Sequence, residues 1–173
     1  MSANPVTLDA ATLYTEHHPA LFRYLVRLTG DEDLAADAVQ ETFTTLLERP
    51  PRDQQIKAWL FTVATNVIRK WANRNRRRGE LLEANTDRAG TGDAQPGPDA
   101  QAESKERMRV VRSALAMLGE KERTVLLMRE EGFSHREIAD TVGTTTGSVG
   151  TMIARALDKL AAELPLDAED LIR

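Results

Sequence analysis

The sequence contains no cysteine in 173 residues. That excludes disulfides, zinc ribbons and thiol catalysis, and it fits a reducing, cytoplasmic setting. Aromatic residues are only 5% of the chain. No apolar run approaches the ~20 residues needed to span a bilayer, so membrane insertion is not expected. The stretch Met1 to Asp9 lacks a charged start followed by an apolar segment, so no secretory signal is expected either. No alternating apolar runs flank a turn, which leaves no basis for a sheet. A serine–histidine–acid set is also missing, as is a metal-ligating cluster. His17 and His18 are adjacent and point in different directions on a helix. Gly90-Thr91-Gly92 follows no strand and is no phosphate loop. No catalytic residue, metal or cofactor is expected.

Charge, by contrast, is plentiful and segregated. Charged residues make up 29% of the chain and the net charge is −4. Five acids (Asp31, Glu32, Asp33, Asp37, Glu41) fall between residues 31 and 41 with no base among them. Six bases (Arg69, Lys70, Arg74, Arg76, Arg77, Arg78) fall between residues 69 and 78 with no acid. An acidic patch and a basic patch on one molecule imply two kinds of partner. Six crowded cations repel one another unless an anion is near, and a phosphate backbone is the common answer.

Glycine and proline mark the organisation. Residues 79–103 carry Gly90, Gly92, Pro96, Gly97 and Pro98 among polar residues, with almost nothing apolar after Leu82. Such a composition reads as a flexible linker. It would span about 25–30 Å as a coil and about 80 Å pulled straight. It separates two blocks, 1–78 and 104–173, so that each can bind a distant site on a large partner.

Both blocks read as helical, and the fold class expected is all-α. Leu13, Tyr14, His17, Leu21, Tyr24, Leu25 and Leu28 recur at helical spacing up to Gly30. Leu34, Ala35, Ala38, Val39, Phe43, Leu46 and Leu47 do so up to Pro50-Pro51. Ile56, Trp59, Leu60, Val63, Ala64, Val67, Ile68 and Trp71 form a third stripe, with Trp59 assigned to the core. The second block gives helices over 107–118 and 120–130, the latter ended by Gly132. Ser134-His135-Arg136-Glu137 is a capping box that opens a short helix closed by Gly143. Thr144-Thr145-Thr146 suits the start of a last helix, with Val149, Ile153, Ala156, Leu157, Leu160 and Leu164 inward.

A short capped helix, a glycine turn and a longer helix that opens on small hydroxylated residues form a helix-turn-helix pattern. Small side chains let the second helix approach the major groove closely. Its candidate DNA contacts are Thr145, Thr146, Ser148, Thr151 and Arg155. An ordinary helical corner in a bundle has the same spacing.

The wording of both blocks narrows this. Leu118-Gly119-Glu120-Lys121-Glu122-Arg123, Gly132-Phe133-Ser134, Glu137-Ile138-Ala139 and Gly147-Ser148-Val149-Gly150-Thr151 resemble the −35-reading domain of the extracytoplasmic-function sigma factors, in the sigma-70 family. Asp37-Ala38-Val39-Gln40-Glu41-Thr42-Phe43 resembles that family's Asp-x-Val-Gln-Glu-x-Phe. Ala58 to Asn66 resembles its Ala-Trp-Leu-x-x-Ile-Ala-x-Asn. The resemblance runs from about Leu13 to Leu164. It implies a sigma region 2-like domain over 1–78, a linker over 79–103 and a region 4-like domain over 104–173.

It implies partners and roles as well. Core RNA polymerase would be met through its β′ coiled coil and β flap, promoter DNA would be the second partner, and an anti-sigma factor belongs to the same expectation. Asp37, Gln40, Glu41 and Thr44 would dock on polymerase. Arg52, Asp53 and Gln54, in the loop where the family captures a flipped base, would read the −10 element. So would Asn66, Arg69, Lys70, Asn73, Arg74, Arg76 and Arg77 on the third helix, where Thr62, Asn66, Arg69, Asn73 and Arg76 lie opposite Trp59 and Val63. The recognition helix departs from the family: Gly150, Met152 and Leu157 stand where cations are usual. Each lost phosphate contact lowers affinity and flattens its salt dependence. Two alternatives are a free-standing helix-turn-helix regulator, and an adaptor that binds polymerase but not promoters.

Overall fold

The computed structural model describes residues 10–51, 55–82 and 109–163, the side chains of 77–82 excepted. Arg52, Asp53, Gln54, the Arg77 side chain, Leu164 and the linker beyond Leu82 lie outside the described residues. Helices run α1 (Ala10–Thr29), α2 (Glu32–Glu48), α3 (Ile56–Leu82), α4 (residues 109–116), α5 (Glu120–Glu130), α6 (His135–Val142) and α7 (Thr146–Glu163). The fold is all-α, as the periodicity predicts.

Local chemistry sets the boundaries. Gly30, at φ 76°, takes the left-handed conformation that ends α1. Asp31 then caps α2, its Oδ1 accepting the Leu34 N–H at 2.9 Å, and Glu32 and Asp33 suit the positive end of that helix. The capping box is present: the Glu137 carboxylate accepts the Ser134 N–H at 2.8 Å, and the Glu137 N–H reaches the Ser134 hydroxyl at 3.3 Å. These two bonds hold the Glu137 carboxyl below its ordinary range. Gly143, at φ 65°, ends α6 and turns the chain into α7.

The first half, α1 to α3, encloses Leu21, Tyr24, Leu25, Ala38, Val39, Leu60 and Ala64. The second half, α4 to α7, encloses Leu118, Val125, Leu127, Met128, Ile138 and Val149. Phe61 joins the two, its ring centroid 4.9 Å from Tyr24 and 4.9 Å from Phe133. Tyr24 is wholly buried, donating to or accepting from the Thr65 hydroxyl at 2.8 Å, and burial pushes its phenol well above the ordinary range.

Three stripe assignments need correction. Leu47 is 67% exposed and Leu157 is 48% exposed, although both were expected inward. In each case a neighbour one residue earlier, Leu46 or Ala156, occupies the core position. Trp59 packs on the core but is only half buried, while Phe61, absent from the expected stripe, is completely enclosed. The reason is the second half, which covers a face of α3 that an isolated three-helix unit would leave in water.

Candidate functional site

Three surfaces emerge. The first lies on α2. Asp37, Gln40 and Thr44 are exposed and Glu41 is half-buried, while Val39 and Phe43 point into the core. Leu47 continues this row at helical spacing from Gln40 and Thr44. Tyr14 of α1, 45% exposed, stands 4.8 Å from the Phe43 ring. An exposed leucine and an aromatic beside acids and an amide make an apolar centre with a polar rim, the anatomy of a protein-binding patch.

The second surface is the outer part of α3. Asn66, Lys70, Asn73, Arg74 and Arg76 are all exposed. Arg74 and Asn75 line an open groove of about 300 Å³ with Trp71, Leu34 and Asp37. Asp37 therefore sits where the acidic row meets the basic one. Arg69 behaves differently. Its Nε donates to Glu120 Oε1 at 2.9 Å and its Nη1 to the Thr141 carbonyl at 2.9 Å. Both partners belong to the second half.

The third surface is the helix-turn-helix of α6 and α7. Thr145 caps α7: its hydroxyl accepts the Ser148 N–H at 3.3 Å and pairs with the Ser148 hydroxyl at 2.8 Å. These two expected DNA contacts are thus engaged in holding the helix end. Thr146, Thr151 and Arg155 are exposed. Lys159 is drawn to Glu122 on α5, with Nζ–O distances of 2.9 and 2.8 Å. That contact holds the Glu122 carboxyl below its ordinary range. Arg155 is left as the cation on the outer face of α7. A side chain at Gly150 would meet only His135 Cε1, at 3.8 Å, an ordinary contact.

Arg123 escaped sequence reasoning. Its Nε donates to the Leu115 carbonyl at 2.7 Å, and its Nη2 to those of Leu118 at 3.1 Å and Ala116 at 3.3 Å. Its Nη1 reaches the Leu28 carbonyl of α1 at 2.9 Å. One guanidinium thus satisfies orphan carbonyls at the C-terminal ends of two helices. No local motif signals this, because the acceptors lie up to 95 residues away. Among the described residues no group of histidine and carboxylate side chains could hold a metal ion.

Comparison with known proteins covers both halves. Residues 13–78 match the model of sigma-70 region 2, and residues 108–160 match that of sigma-70 region 4. The chain is 35% identical to the ECF RNA polymerase sigma factor EcfG of Rhodopseudomonas palustris, over 88% of this chain and 83% of that one. It is 34% identical to the ECF RNA polymerase sigma factor SigL of Mycobacterium tuberculosis, over 88% and 86%. The fold resembles that of the sigma factor RpoE solved in complex with the anti-sigma factor NepR from Bartonella quintana. The TM-score is 0.69 at 24% identity, over 92% of this chain and 98% of that one.

Proposed function

The chain belongs to the extracytoplasmic-function sigma factors of the sigma-70 family, and on that premise we propose that α2 docks on polymerase while α3 and α7 divide the promoter between them. As a sigma factor it partners core RNA polymerase and directs it to promoter DNA for initiation. The region 2 match in the first half sets aside the free-standing regulator.

In this reading residues 1–78 form the polymerase- and −10-binding domain, 79–103 the linker and 104–173 the −35-binding domain. Asp37, Gln40, Glu41 and Thr44 form the rim of the polymerase contact, and Leu47 is its apolar anchor. The exposure of Leu47 carries this assignment, since a leucine two-thirds in water beside an acidic row calls for a partner. Arg52, Asp53 and Gln54 read a base at the −10 element. Asn66, Lys70, Asn73, Arg74, Arg76 and Arg77 track the phosphates there, with Arg69 joining them. Thr146 and Thr151 meet base edges at the −35 element, Arg155 meets a phosphate, and Thr145 and Ser148 hold the helix end that presents them. The chain performs no chemistry of its own and works in the cytoplasm. An anti-sigma partner is part of the same reading.

The test is run-off transcription with purified core polymerase over a fragmented genomic library. Discrete transcripts that require this chain are expected, and they supply the promoter. Output equal to that of core polymerase alone contradicts the reading.

A further inference from the structure

The face of α3 that turns toward the second half carries Lys57, Thr62 and Arg69. Arg69 is held by Glu120 at the start of α5 and by the last turn of α6 through the Thr141 carbonyl. The Thr141 and Thr62 hydroxyls meet at 2.7 Å. Lys57 Nζ donates to the Glu131 carbonyl at 2.8 Å and lies 5.0 Å from the centroid of the Phe133 ring. Arg27 of α1 pairs with Glu130 of α5. A seam of polar contacts thus runs along the border between the two matched regions.

Two observations mark the seam as able to part. Arg69 Nη2 is buried without a hydrogen-bond partner. A guanidinium N–H left in that state is costly, and water or a phosphate would satisfy it. The ion pairs are also partly in water, with the Glu120 and Glu130 side chains 56% and 52% exposed. Such pairs add little stability and exchange readily with solvent.

A third argument is one of span. Elements at −10 and −35 are about 25 base pairs apart, on the order of 85 Å of duplex. A folded chain of this size is on the order of 40 Å across. With α6 packed on α3, the two reading surfaces cannot occupy both elements at once.

We propose that this seam is a self-closure: the second half covers the Arg69 face of α3, Glu120 stands where a DNA phosphate would sit, and the chain opens only after polymerase has taken hold of α2. The inference rests on the docking and promoter roles proposed above. Asp37, Gln40, Thr44 and Leu47 remain exposed in the closed form. Polymerase can therefore dock on a closed molecule, whereas the promoter cannot be spanned by one. Order follows from geometry, with polymerase first and DNA second.

The absence of native cysteine allows a clean test. The double variant Thr62→Cys/Thr141→Cys places two thiols where two hydroxyls now touch, within reach of a disulfide. The full-length variant is oxidised before it is mixed with core polymerase, and binding and transcription are compared with and without reductant. The bond is expected to form in the free protein. The oxidised form should bind core polymerase within about threefold of the reduced form, while run-off transcription falls at least about tenfold and returns on reduction. Equal transcription in both states overturns the closure, and so does failure of the bond to form. Loss of polymerase binding in the oxidised form alone overturns the order of events. If the reduced form neither binds polymerase nor transcribes while wild type does both, Thr62→Ser/Thr141→Ser with Glu120→Gln replaces it. That variant keeps the hydroxyls and frees Arg69, and the proposal then requires that free protein bind single-stranded −10 DNA at least about threefold more tightly than wild type. Unchanged affinity overturns it. If wild type fails in both assays, the sigma reading fails, and not the closure.

Discussion

The two halves handle charge in opposite ways. The first concentrates it, with an acidic row on α2 and six bases in the ten residues that follow Ile68. The second disperses it and ties it down. Of the two cations on the described part of α7, Lys159 is committed to Glu122 and Arg155 remains. Charge grips any phosphate backbone, whereas small polar side chains at a helix start read base edges and add no grip. The comparison teaches that affinity and sequence choice need not reside on the same surface. The half with the cations anchors, and the half with threonines and glycines discriminates.

The largest expected effect falls on the first half. Gln40→Ala with Glu41→Lys and Leu47→Asp should weaken binding to core polymerase by about a hundredfold or more, because it strips the apolar anchor and inverts the rim. Pull-down affinity, with helicity as a control for folding, reads this. Unchanged affinity with normal helicity would move the docking surface elsewhere.

Next comes Arg123, the main polar clamp of the second half. Arg123→Gln should destabilise the chain by roughly 2–4 kcal/mol, because the Leu28, Leu115 and Leu118 carbonyls lose a charged donor. Urea unfolding measures it. A loss below about 0.5 kcal/mol would show that water replaces the guanidinium without cost.

Gly150 offers a gain. Gly150→Ala should stabilise by up to ~1 kcal/mol, since the site is helical and the added methyl meets ordinary contact distance. Gly150→Lys should steepen the salt dependence of promoter binding by about 0.9 units, one more phosphate met. A lysine there that leaves the slope unchanged would place that face of α7 away from the backbone.

The smallest effect is one of pH. Glu122 and Glu137, both in the second half, have carboxyls held below their ordinary value of 4.5, chiefly by hydrogen bonds from Lys159 and Ser134. A depressed folded pKa contributes stability that is present above the unfolded value. That stability fades as pH falls below 4.5 and through the folded one. Both groups are largely in water, so the contribution is small. Glu122→Gln with Glu137→Gln should therefore make unfolding less pH-dependent below pH 4.5 than in wild type. An unaltered pH profile would discount both bonds.

Features fixed by a few neighbouring residues were legible in the sequence. The Ser134–Glu137 box and the turn glycines Gly30 and Gly143 are local, and each lies where its residue type dictates. Periodicity was less sharp between adjacent apolar residues, because Leu46 and Leu47 differ by one 100° step and only one can enter the core. The burial of Phe61 and the capture of Arg69 were not legible, because both depend on a second half 50 to 80 residues away in the chain. The expected row of DNA contacts on α3 was drawn for an open first half, and the closed molecule turns part of that row inward.

The division of labour can be measured directly as promoter binding by reconstituted holoenzyme across a salt series. Neutralising Arg74, Arg76 and Arg77 together should flatten the slope of log affinity against log salt by about two to three units, and changing Arg155 alone by at most about one. If Arg155 flattens the slope more than the triple change does, the second half is the electrostatic anchor and the division drawn here is reversed.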